Sequence, residues 1–339
     1  MNRRKLIQGA IGTCAALVCS TFIQSNAIAG DKVRLRFQTY FGTEMDSVNK
    51  AFVKNVKEWS GGSLRIQLFR AGELVSSDQM VDSVSKGTID MAHGVGAYWS
   101  GQMDIGNLEA GLPGAWSTID EAKDLFFNQG FSDLLSEAYA EKGVHYITTG
   151  FGGRYDLLTK DPVNTLDDLK KMKVRASPQA AKVLKELEIP SVYLPSQELY
   201  VGMSTGVING VIYGGPFDYV SLKLNETAKY YTTLNMLTPG WTETYMMNQS
   251  KWDNLSDEHK DVLTRATKQM AEDAHQVFTG SDEEILKQDT FVVSALSDED
   301  STRITTAAQK VWNEEAGRSD RNAKAVAILR DNAKKQGRL

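Results

Sequence analysis

Outside its first 29 residues the chain has no cysteine: the only two, Cys14 and Cys19, lie in the N-terminal segment. Disulfides, cysteine metal sites and thiol nucleophiles are therefore excluded from the body of the protein. Histidine is also scarce, with His93, His145, His259 and His275 scattered singly. No pair has the H-E-x-x-H spacing that places two imidazoles on one helix face, so a zinc hydrolase is not indicated. His259 and His275 fall in a polar C-terminal segment and are expected to be solvated. Ser60-Gly61-Gly62 and Gly94-Val95-Gly96 lack the lysine of a phosphate loop and the full dinucleotide pattern. No basic excess exists either: 38 Lys and Arg stand against 43 Asp and Glu, a formal charge of −5. Nucleic acid and anionic membranes are thus poor partners.

The N-terminus combines Arg3, Arg4 and Lys5 with an apolar stretch over 6–23 and an Ala27-Ile28-Ala29 exit. That order is the pattern of a secretory signal cleaved after Ala29. Gln8, Gly9, Gly12 and Thr13 interrupt the apolar stretch, which argues against a permanent membrane helix. Arg3-Arg4 is a partial match to the twin-arginine export signal. Val18 is too large for a lipoprotein cleavage site before Cys19, so free release is expected. No later apolar run is long enough to span a bilayer. The length that remains suggests about two domains.

Val33 to Gln38 alternates in polarity as a strand does. Met45, Val48, Phe52, Val56 and Trp59 form one helical stripe, stopped by Ser60-Gly61-Gly62. Leu64, Ile66 and Leu68 predict a second strand, Ser77 to Val84 a helix, and Ile89 to Ala92 a third strand. This β-α-β-α-β order predicts a parallel sheet covered by helices. One helix is predicted over Ile119 to Tyr139, after a loop from Glu109 to Ser117, and Val144 to Thr149 returns to strand. Thr165 opens a short capped helix; the pair Asp167-Asp168 there suits a helix start better than a catalytic dyad. Strands follow at 173–175, 192–194 and 207–212, separated by helices over 177–187 and 197–205. From Ser256 the chain reads almost entirely as polar helices, expected to pack across both halves.

Several blocks resemble the solute-binding proteins of tripartite ATP-independent periplasmic (TRAP) transporters. They are Ser60-Gly61-Gly62-Ser63-Leu64, Ala71-Gly72-Glu73-Leu74, Gly87-Thr88-Ile89-Asp90-Met91, 162–175, Thr205 to Gly210, Ala228 to Tyr231 and Trp252 to Ser256. They occur in family order along nearly the whole exported chain. Gly215-Pro216-Phe217-Asp218 and 228–241 are similar to the branch that binds 2-oxo acids. Members of that branch often hold the carboxylate through a metal ligated by a Gln, a Glu-Trp pair and a later Glu. Here Arg154 replaces the Gln, Ile212-Tyr213 replaces the Glu-Trp pair, and only Glu243 corresponds. No bound metal or cofactor is expected.

The resemblance implies an α/β periplasmic binding protein with two lobes, a hinged cleft and bridging C-terminal helices. Lobe I is expected over 30–151, completed by about 240–280, lobe II over 152–239, and C-terminal helices over 281–339. It implies an extracytoplasmic receptor, not an enzyme, which passes a small organic acid to the small and large integral-membrane subunits of a TRAP transporter. The expected location is the periplasm and the expected state a monomer. Arg175 leaves a strand at the Ala176-Ser177-Pro178 turn, and its planar fork suits a carboxylate. The resemblance puts the family's carboxylate-clamping arginine there. Arg154, between Gly152-Gly153 and Tyr155, is the second candidate. Tyr213, Trp241, Phe217, Trp116, Phe41 and Tyr98 are candidates for an apolar wall around an aromatic or aliphatic body, with Glu243 beside them. An exported enzyme acting on a small acid, with Tyr213 or Glu243 as acid or base, and a sensor for a signalling receptor are the alternatives.

Overall fold

The computed structural model describes residues 32–234, 236 and 240–337; the segment read as a signal lies outside them. Eleven strands occur in chain order among these residues. They are β1 (Val33–Thr39), β2 (Leu64–Phe69), β3 (Met91–Gly94), β4 (Val144–Phe151), β5 (Leu157–Thr159) and β6 (Val174–Arg175). The remaining five are β7 (Ser191–Val192), β8 (Gly210–Ile212), β9 (Tyr230–Thr233), β10 (Thr242–Asn248) and β11 (Val292–Ala295). They form two sheets, ordered β2-β1-β3-β10-β4 and β11-β9-β5-β8-β6-β7.

The first three strands are parallel, as their alternation with helices requires: β1 pairs with β2 and β3. β10 then enters antiparallel between β3 and β4. All seven of its residues are buried, so its polarity does not alternate, and its sequence carries no strand period to read. The helix Asp46–Trp59 buries Val48, Phe52 and Val56. Trp59, the last residue of the expected stripe, is instead 37% exposed, with the Arg265 guanidinium 5.1 Å from its ring. The single helix expected over 119–139 is two, Ile119–Asn128 and Phe131–Ala140. Gly130 at φ 84° breaks it, in a region that other residues adopt only with strain.

The second sheet is short-stranded and covered on both faces. One face shares the main core with the first sheet, while the other carries a separate cluster including Leu158, Met203, Val211, Tyr219 and Phe291. The C-terminal segment is not wholly helical. Val292–Ala295 adds a parallel edge strand to β9, because two consecutive valines favour extended backbone and β9 offers a free edge. The helix Asp298–Ala316 touches both layers. Its buried Glu315 bonds Asn107 on one side and Lys182 on the other. The Trp312 indole donates to Pro113 O (3.1 Å), and Asp300 accepts from Leu166 N (3.1 Å).

Candidate functional site

The site is built around Arg175, the last residue of β6. It pairs with Val192 of β7 and Val211 of β8, and the chain then turns at once into the Pro178–Glu186 helix. Its side chain is only 1% exposed. Nε donates to Leu194 O (2.9 Å) and Nη1 to Ile212 O (3.0 Å). Nη2 is buried and has no hydrogen-bond partner. No carboxylate pairs with this guanidinium among the described residues. Burial opposes its charge, but the oxygens of Tyr98, Tyr155, Tyr193 and Tyr213 outweigh burial and raise its pKa. A buried cation with one face unsatisfied calls for an anionic hydrogen-bond acceptor from outside the chain.

Aromatic rings enclose it. The guanidinium carbon lies 5.0 Å from the Tyr213 ring and 5.3 Å from Tyr193, within cation–π range. Tyr98 approaches from the other layer, 5.9 Å from Tyr193 and 6.4 Å from Tyr40. The Tyr40 hydroxyl accepts from Trp241 Nε1 (3.0 Å), and Trp241 packs edge-on to Tyr155 at 6.2 Å. Tyr155 closes the ring by bonding Ser177, two residues after Arg175. Phe278, from the long helix Asp257–Leu286, stands behind Trp241 (5.2 Å) and touches Phe41 (5.8 Å) and Phe217 (5.9 Å).

The structure thus brings Arg175, Tyr213, Trp241 and Tyr98 into one ring, with Phe41 and Phe217 in the layer behind. Arg154 is elsewhere: its exposed guanidinium sits 3.7 Å from Asp156, while its backbone N–H faces Asp282. Trp116 packs on Phe126 in the first layer's core (5.9 Å). Tyr40, Tyr155, Tyr193 and Phe278 belong to the assembly but had no sequence signal of their own. Tyr193 lies beside a two-residue strand, and Phe278 is one of several buried apolar residues on a long, largely polar helix, with nothing local to single it out.

Glu243 is fully buried and engaged on both oxygens. It accepts from the Tyr40 hydroxyl, from Trp241 Nε1 (3.2 Å) and from His93 Nε2 (3.0 Å). His93 is held on its other nitrogen by Thr39 Oγ1 (3.0 Å) and is stacked on Tyr245 at 4.1 Å. The Thr39-His93-Glu243 chain resembles a nucleophile, base and orienting acid. All three are 0% exposed, however, and Thr39 Oγ1 is already occupied by Phe41 N. Burial raises the Tyr213 phenol well above its usual range, so it cannot serve as a base near neutrality.

A metal of the kind found in the 2-oxo acid branch does not fit these residues. Ile212 and Tyr213 supply no carboxylate, and both oxygens of Glu243 are already engaged by Tyr40, Trp241 and His93. No cluster of three or more His, Cys, Asp or Glu suited to a metal occurs among the described residues. The other two expectations for histidine are also modified. His259 bonds Ser63 Oγ (2.8 Å) and His275 bonds Gly152 O (3.2 Å), so both are half-buried and engaged.

Gly152 is where the first layer hands over to the second. Its N–H donates to Trp241 O (2.8 Å), and a Cβ there would lie 2.2 Å from the Trp241 ring. Gly152→Ala is therefore expected to displace Trp241. A destabilisation of about 1–3 kcal/mol and weakened ligand binding should appear together in thermal unfolding and calorimetry. An unchanged melting temperature would show that the ring is not fixed by this contact.

The chain is 27% identical over 274 residues to the monocarboxylate 2-oxoacid-binding periplasmic protein of Nostoc sp., covering 79% of this chain and 75% of that one. Its fold matches a TRAP periplasmic solute-binding protein of Pseudoalteromonas atlantica, solved with sodium and pyruvate. The TM-score is 0.82 at 24% identity, with 90% and 95% of the two chains covered. It matches one from Chromohalobacter salexigens, solved with (S)-(+)-2-amino-1-propanol, equally well: TM-score 0.82, 23% identity, 88% and 95% covered. Residues 42–318 match the DctP family, and the chain accordingly belongs to the bacterial extracellular solute-binding proteins of family 7.

Proposed function

We propose that this protein is the periplasmic receptor of a TRAP transporter and that it binds a small carboxylate at Arg175. The observation that carries this reading is the unpartnered Nη2 of a 1%-exposed arginine inside an aromatic ring. The ligand's carboxylate takes Nη2 as a charge-assisted acceptor, and its body lies among Tyr98, Tyr193, Tyr213 and Trp241. Residues 30–151 with 240–280 act as one lobe and 152–239 as the other. Hinge motion at Gly152 opens and closes them, since Tyr98 and Tyr193 meet across that division. The ligand stabilises the closed form because only there do both sets of tyrosines surround it. The small and large membrane subunits then accept the acid, and the receptor performs no chemistry. The relatives named for a 2-oxo acid and for pyruvate support a small acid as the ligand.

A thermal-shift screen of 2-oxo acids, hydroxy acids, amino acids and aromatic acids tests the reading. A specific ligand at 100 times its Kd stabilises by about 2.7 kcal/mol through mass action. If no carboxylate raises the melting temperature, the reading is wrong. Binding of the best acid is expected to be unchanged by EDTA. Loss of calorimetric binding on chelation, restored by calcium, or binding that requires added sodium in a sodium-free buffer, would replace direct recognition by Arg175 with a metal bridge.

A further inference from the structure

A second pocket lies apart from the aromatic ring, between the helices Ile119–Asn128 and Asp257–Leu286, with the end of β4 as its floor. Its volume is about 230 Å³, and none of its lining residues belongs to the ring around Arg175. Phe127, Phe151 and Ala271 make the apolar part. Phe127 is 47% exposed, held edge-on to Phe151 at 6.1 Å. An exposed phenylalanine standing against a second ring leaves an apolar slot open to solvent.

The polar groups are arranged for an anion. Lys123 and Lys268 flank the pocket. Lys123 is balanced by Glu272 at 3.2 Å. Lys268 has no ion-pair partner among the described residues, so the pocket keeps one unbalanced positive charge. Thr148 lines it, is 2% exposed, and its hydroxyl makes no hydrogen bond among the described residues. An uncommitted hydroxyl in the lining can donate to an anion that occupies the pocket. The wall also includes His275, whose Nδ1 lies 3.2 Å from Gly152 O, so an occupant touches the residue that holds the main-chain turn into the ring.

We infer that this pocket is a second ligand site, which takes a small carboxylate with a flat apolar body. The carboxylate bonds the Lys268 ammonium and the Thr148 hydroxyl, and the body lies on Phe127, Phe151 and Ala271. This inference is independent of what occupies the cleft at Arg175.

Benzoate is a suitable probe, with benzamide as its neutral counterpart. The titration is made on the full chain carrying Arg175→Met, so that the cleft does not compete, and is followed by the methyl resonances of Thr148 and Ala271. Saturable shifts with benzoate, little response to benzamide, and affinity about tenfold weaker in Lys268→Met support the site, as loss of one charge-assisted bond predicts. Lys268 is exposed, so that variant keeps its fold. No saturable shift up to roughly 10 mM benzoate overturns the proposal. Equal response to benzamide, or an unchanged affinity in Lys268→Met, overturns it too.

Discussion

Replacing Arg175 by methionine is expected to abolish ligand binding while hardly changing the melting temperature of the free protein. Removing one member of a buried charge pair costs about 2–5 kcal/mol of binding, roughly a 30- to 5,000-fold loss. The free protein responds differently because its guanidinium has no counter-charge. Methionine leaves Leu194 O and Ile212 O without their donors, which destabilises. It also removes a desolvated cation, which stabilises by a similar amount. Arg175→Lys should rescue little, since an ammonium cannot bond two carbonyls and a ligand carboxylate in one plane. Calorimetry with the best acid from the screen, beside melting curves without ligand, separates the two effects. Retained affinity in both variants would remove Arg175 from the site.

The second large effect concerns pH and lies away from the cleft. Glu109 is fully buried between Tyr139 and Thr244, and both hydroxyls donate to it. Burial, only partly offset by those bonds, pushes its carboxyl from 4.5 to about 7. The folded protein therefore binds a proton that the unfolded chain releases. Stability from this group is full below pH about 4.5 and falls as pH rises toward 7, after which both states are ionised. The loss is about 3 kcal/mol, from 1.36 kcal/mol for each pKa unit. Asp282, pushed up to about 6 by burial, adds to the same trend. His145, stacked on Trp252 and lowered by burial to about 4, works against it as pH falls below 6.5. Glu109→Gln isolates the first term. The stability difference between wild type and variant, from urea unfolding at pH 5 and pH 8, should change by about 2.5 kcal/mol, since part of the loss has already occurred at pH 5. A pH-independent difference would mean that Glu109 is ionised throughout.

Periodic segments were legible and isolated residues were not. The alternation of Val33 to Gln38 and the stripe Val48, Phe52, Val56 each appear as read, because one face of each meets the core. β10 was not legible, since a strand buried on both faces shows no alternation. β11 was lost among polar helices because four residues carry too little pattern. Of the two arginines singled out, the strand-end Arg175 is enclosed. Arg154 turns to Asp156 and solvent, a difference that no local motif records.

By itself the sequence determined an acidic α/β chain of recognisable family, without cysteine after its first 29 residues and with Arg175 at the end of a strand. These are properties of composition, period and short blocks, each readable within a few residues. Tertiary structure alone decided what Arg175 faces. Tyr40, Tyr98, Tyr155, Tyr193, Tyr213 and Trp241 come from six separate parts of the chain, and sheet order brings them together. It also decided that Glu243 is spent on Tyr40, His93 and Trp241. Whether a carboxylate is free to bind depends on which donors surround it, and those donors are up to 203 residues distant in sequence.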